Sequence, residues 1–165
     1  MAENIRKALV LVFMLAGSTA FAKTGVGIQG GIKFSPEADV CSGLVLRSDH
    51  SPWGLAASWN IEEKSLDLVL DNWVFYKKIN AAASWFALWG MSYSGRFENE
   101  CFIETGARLG VGANVFFFDS RSLEFYAQTA WNPSVGMYYD RDEKECSLRF
   151  VPACFPINAG IRFWF

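Results

Sequence analysis

Three groups of residues have types and spacing that could do chemistry. Asp49, His50 and Ser51 set an acid, a base and a nucleophile side by side. Nucleophilic catalysis needs such groups to converge, base against nucleophile and acid behind base. Three adjacent residues cannot wrap around one another in that way, and 49–52 reads as a turn, so no catalytic residue is expected. The second group is an even set of cysteines, Cys41, Cys101, Cys146 and Cys154. The seven-residue gap between Cys146 and Cys154 is not zinc-finger spacing and the single histidine lies far from it, so no metal site is expected. The third group is four cations, Lys33, Arg47, Arg108 and Arg162, and four anions, Asp67, Asp71, Glu104 and Glu124, each set within an otherwise apolar, alternating stretch. No glycine-rich phosphate loop or dinucleotide fingerprint accompanies them, so no cofactor is expected.

The elements that must position these groups follow from composition. The chain is 52% hydrophobic and 16% aromatic with only 19% charged residues, below the roughly 25–35% charged residues that suit a soluble surface. Its net charge of −2 gives no electrostatic reason to expect nucleic acid. Arg6 and Lys7, the apolar run at 8–17 and the small-x-small Ala20-Phe21-Ala22 fit a signal peptide at 1–22, leaving 23–165 as one exported domain. Gly, Ser, Asn or a charge interrupts every later apolar run before it reaches membrane-helix length. If the mature chain sits in a membrane, it must do so as a closed β-barrel.

Period-2 alternation is the strand signal, and it predicts eight strands, at about 24–34, 41–48, 53–61, 65–75, 79–92, 102–116, 122–131 and 156–165. Short turns are expected at 49–52, 76–78 and 119–121. Longer loops are expected at 35–40, 94–100 and 132–155, the last carrying the charged run 140–145, with 62–64 a short exception. Even strand number with short turns at one end and longer loops at the other is the plan of a small outer-membrane barrel. A soluble barrel shares the period, so the polar face decides which side is inside. That face is rich in glycine, alanine and serine, with Gly27, Gly31, Gly106, Gly110, Gly112 and Gly160 among them. Small residues suit a narrow, crowded lumen better than a solvated exterior.

On this reading the four cations and four anions line the lumen. Buried charges are tolerated when paired and hydrogen-bonded, and the equal signs favour a closed network over an ion-selective ring. Glu104 and Arg108, four residues apart on one face, are a candidate pair. The cysteines fall at the long-loop end, and in an exported protein an even four reads as two disulfides. Strand order makes Cys101–Cys146 with Cys41–Cys154 the easier connectivity, with a local Cys146–Cys154 bridge as the rival.

Ile157, Ala159, Ile161, Phe163 and Phe165 continue the apolar alternation to the last residue. In this the chain resembles the small eight-stranded outer-membrane barrels of diderm bacteria, the OmpX-, OmpW- and OmpA-transmembrane-like proteins. The resemblance covers 23–165 in architecture and implies that these five residues are the signal read by the barrel-insertion machinery. The expectation is therefore an all-β, eight-stranded, antiparallel up-and-down transmembrane barrel in contact with outer-membrane lipid. Its expected role is non-enzymatic, structural or ligand-binding through disulfide-tied extracellular loops. The alternatives are a narrow OmpW-like passage for small, mostly apolar solutes, a lipid-modifying barrel enzyme and a soluble secreted β-barrel.

Overall fold

A computed structural model describes residues 23–35, 37–97, 100–118, 120–140 and 145–165; the expected signal peptide at 1–22 lies outside them. The described residues form strands β1 (Thr24–Ser35), β2 (Glu37–Ser48), β3 (Trp53–Asn60), β4 (Ser65–Lys78), β5 (Ala83–Phe97), β6 (Glu100–Phe117), β7 (Leu123–Trp131), β8 (Ser134–Asp140), β9 (Glu145–Val151) and β10 (Phe155–Trp164), with no helix among them. Each strand pairs antiparallel with its neighbour in sequence from β1 to β7, and β10 then bridges β7 and β1. This is a closed eight-stranded barrel, as the alternation predicts.

Ten segments make eight barrel strands because two strands are broken. β7 pairs with Leu109–Phe117 of β6, while β8 pairs with the remainder of the same strand, Glu100–Gly106. The break between them contains Pro133, which has no N–H to give to the ladder. Its carbonyl still accepts the Ala107 N–H at 3.1 Å, so the chain continues along β6. The second interruption, at 152–154, contains Pro152 and divides β9 from β10. Above these breaks, β8 and β9 form a hairpin that continues the β6 side of the wall, and β8 is the only ladder partner of β9 among the described residues.

The alternation sorts side chains as sheet geometry requires. Ile28, Leu44, Leu55, Leu68, Met91, Leu109, Phe125 and Ile157, one from each barrel strand, are all exposed on the outside. Lys33, Asp39, Asp71, Glu104, Arg108, Glu124 and Arg162 alternate with such residues and are buried inside. The interior is narrow enough to require glycine at specific positions. A Cβ on Gly112 would lie 2.4 Å from Phe86 Cζ, and one on Gly160 would lie 2.6 Å from a Tyr126 ring carbon. Glycine on one strand makes room for a ring projecting from another.

Several boundaries differ from those read in the sequence. β4 runs through 76–78, where a turn was expected, and the turn falls at 79–82 instead. A bulge shifts the β4–β5 register between Val74 and Lys77, and Phe75 within it has φ 51° and is 78% exposed. A bulge adds one residue and resets the parity, so that Trp73 and Tyr76 stack at 6.4 Å instead of facing opposite sides. The three expected long loops are largely strand: β1 and β2 pair as far as Ser35 and Glu37, β5 and β6 as far as Phe97 and Cys101, and most of 132–155 is the β8–β9 hairpin. The polar residues there suggest loops, but the backbone ladder continues past the apolar belt.

Candidate functional site: the barrel lumen and its rim

The lower lumen is built around Trp73, which shares the inward parity of Asp71 on β4 and is buried. Phe86 stacks on its ring at 3.4 Å between centroids, and the Arg47 guanidinium lies 3.6 Å from the same ring. Arg162 reaches over Tyr126 at 3.9 Å and Trp73 at 4.8 Å. Its NH1 donates to Glu124 Oε2 at 3.1 Å, and Glu124 is fully buried. The Glu124 carboxylate also accepts Asn114 Nδ2 at 2.5 Å and the Trp164 indole N–H at 2.9 Å. One charge pair thus sits inside a shell of neutral donors, the condition under which a buried ion is tolerated.

Higher up, Arg108 grips Asp71 in a two-pronged contact, Nε to Oδ1 at 2.8 Å and NH2 to Oδ2 at 3.3 Å. Gln128 adds a donor to Asp71 Oδ2 at 3.2 Å. Gln29 links Ser58, at 2.9 Å, to the Tyr126 hydroxyl, also at 2.9 Å. Asp67 accepts the Ser94 hydroxyl. Near the rim, Lys33 pairs with Glu63 at 3.3 Å.

The structure therefore joins the eight charged residues only in part. Arg108–Asp71 and Arg162–Glu124 form between members of the set. Glu104 and Arg108 do not pair: Glu104 accepts the hydroxyls of Ser134 at 2.5 Å and Tyr138 at 2.8 Å, because β8 comes closer to it than any cation does. Burial, and next the hydrogen bond to Glu104, push the Tyr138 phenol up to about 12. Glu63 was read only as part of a turn, since nothing local marks it as a partner 30 residues from Lys33. The neutral members Gln29, Asn114 and Gln128 carried a signal that went unused. Gln29 and Asn114 are large polar residues on the glycine-rich faces of β1 and β6, and Gln128 shares its face of β7 with Glu124.

The cysteines divide by face. Cys41 and Cys154 are buried and line one small lumen cavity of about 30 Å³ together with Lys33 and Asn158. Cys146 is exposed and Cys101 half-buried, and both lie in register with Tyr139 of β8, one on each side of it. The two expected disulfides are not formed: β8 runs between Cys101 and Cys146, and Cys41, in register with Gly31 and through it with Asn158, lies four residues along the strand from Cys154. Beside the unpaired edge of β9 a larger cavity of about 650 Å³ opens at the rim, lined by Lys33, Glu63, Glu104, Tyr138, Arg149, Phe150 and the 151–153 connection. The Asp49-His50-Ser51 stretch sits at the opposite end in the β2–β3 turn. His50 Nδ1 contacts Asp49 at 2.5 Å, but Ser51 Oγ accepts the Trp53 N–H at 3.2 Å, so the hydroxyl serves the turn.

No family model matches this chain, and no curated protein does. Among solved structures, the chain is similar to a major outer membrane protein from Thermus thermophilus, at 13% identity and a TM-score of 0.45, over 88% of this chain and 100% of that one. The fold assignment rests on the strand pairing itself. The molecule is a closed eight-stranded antiparallel barrel with an apolar exterior and a charged, hydrogen-bonded interior.

Proposed function

We propose that the chain is an integral outer-membrane barrel with a plugged lumen, non-enzymatic, acting as a structural element or binding a ligand at its external rim. The observation that carries this reading is the inversion of polarity. All eight barrel strands present exposed apolar residues outward, while Lys33, Asp39, Asp71, Glu104, Arg108, Glu124 and Arg162 turn in. A water-soluble barrel would spend that exterior on solvent, whereas a bilayer requires it. The Arg108–Asp71 and Arg162–Glu124 pairs act as the plug, and the two cavities among them, of about 20 and 30 Å³, are of water size. Planar-bilayer recording tests the plug: small, infrequent openings are expected, and a stable large conductance contradicts it.

The rim cavity supports binding at the external end, because it joins cationic, anionic and apolar side chains beside an unpaired strand edge. It also favours a second reading, an entrance for small, mostly apolar solutes, which a solute-flux assay in proteoliposomes distinguishes from binding without passage. In the disulfide proposal, Cys41 joins Cys154 inside and Cys101 joins Cys146 outside, and both bridges require the rim strands to shift, because β8 runs between Cys101 and Cys146 and a disulfide spans only about 4.4–6.8 Å between Cα atoms. The separation of the two pairs by face supports it over a Cys146–Cys154 bridge. Mass mapping of the oxidised protein decides between them. Ile157, Ala159, Ile161, Phe163 and Phe165 lie on the outward face of β10, where insertion machinery has access to them. Loss of membrane assembly in Phe165→Ser, with export intact, is the expected result; normal assembly counts against the signal.

A further inference from the structure

The lower lumen holds one cation more than its anions neutralise. Arg108 takes Asp71 and Arg162 takes Glu124. Arg47 has no carboxylate within ion-pair distance among the described residues; its guanidinium lies on the face of Trp73, 3.6 Å from the ring centroid. The Arg162 guanidinium lies over the same ring, 4.8 Å from its centroid. The Nε–H groups of Arg47 and Arg162 are both buried and have no acceptor among the described residues. Arg162 as a whole is 4% exposed. Both arginines line a single cavity of about 20 Å³.

Two like charges, two orphaned donors and a shared void describe a missing acceptor. Each unmet buried donor is destabilising, and an uncompensated buried charge is more so. A water molecule satisfies the donors but leaves the extra charge. An anion answers both deficits. We propose that this cavity binds one small monovalent anion of halide size, bridging the Arg47 and Arg162 Nε–H groups. The volume sets the class: at about 20 Å³ the void exceeds the roughly 10–15 Å³ that holds one water, leaving room for a single-atom anion such as chloride or bromide and excluding the five-atom sulfate and phosphate. Asp71 also lines the cavity. It does not repel the ion as a bare carboxylate would, because Arg108 and Gln128 already occupy its oxygens.

The test uses the folded mature chain in detergent, with sodium chloride, sodium bromide or sodium gluconate at equal ionic strength. Chloride and bromide should raise the unfolding temperature by a few degrees over gluconate, with saturation, because a ligand bound only by the folded state stabilises it by mass action. Arg47→Gln should abolish the difference between halide and gluconate. If that variant does not fold, crystals of the unaltered protein grown in bromide give an independent answer. An anomalous peak within hydrogen-bond distance of both Nε atoms is the expected result. Identical unfolding in chloride and gluconate, or no anomalous scatterer at that position, overturns the proposal.

Discussion

The lower barrel and the β8–β9 hairpin above it are made from the same alternating pattern, yet they obey different constraints. Below, every strand has a neighbour on both sides and each inward side chain meets others across a narrow lumen. Above, β9 pairs on one side only among the described residues, and six of its seven residues are exposed. Ring closure is what converts alternation into a packed interior; the same alternation without closure leaves an edge with unpaired backbone groups. Most charge burial therefore belongs to the lower region, while the upper region has the free backbone edge and open volume that recognition needs.

The largest expected contrast comes from breaking a charge pair. Glu124→Leu leaves Arg162 buried without its carboxylate and should destabilise the barrel by about 3–5 kcal/mol, measured by reversible urea unfolding in lipid vesicles. Arg149→Leu in the hairpin should stay within about 0.5 kcal/mol. Equal losses at both positions would mean that closure does not set the energetics. Next comes charge insertion on the outer face. Val111→Arg, midway along β6, should cost about 2–4 kcal/mol if it faces the bilayer midplane, against about 0–1 for Leu148→Arg on β9. A tolerated Val111→Arg would argue for a solvated exterior.

Overpacking sharpens the same comparison at smaller magnitude. Gly112→Val pushes a side chain into the Phe86 ring and should cost about 1–3 kcal/mol, a loss that Phe86→Leu in the same chain should partly restore. Absence of any coupling between the two would separate Gly112 from the ring it faces. The smallest effect is on reactivity alone. In the reduced, folded protein Cys146 should react with a maleimide in the time expected of an exposed thiol, and Cys154, eight residues on but buried, should react only on unfolding. Matching rates would place the β9–β10 break elsewhere.

Strand number, closure and the inward or outward parity of nearly every residue were legible in the sequence, because a side chain's face follows from a period of two. What stayed hidden depends on events that break the period or on partners far away. The bulge at Phe75 moves the β4–β5 turn from 76–78 to 79–82, and no glycine marks it. The hairpin at 134–151 looks like a charged loop because one edge and both faces of β9 meet solvent among the described residues, so its composition is that of a loop while its hydrogen bonds are those of a sheet. Equal counts of cations and anions favour a closed network, in which up to four pairs could form. Distances resolve only two of those, since Glu63, Tyr138 and Trp73 take up Lys33, Glu104 and Arg47.

The central claim is that a closed barrel holds its apolar face toward lipid and its charges inside. Electrophoresis of the detergent-folded protein, with and without prior heating, tests it most directly. A barrel whose backbone bonds are all internal should resist the detergent and migrate at a different position until boiled. A single mobility that heating leaves unchanged, from protein shown by circular dichroism to be β-rich beforehand, would contradict the account.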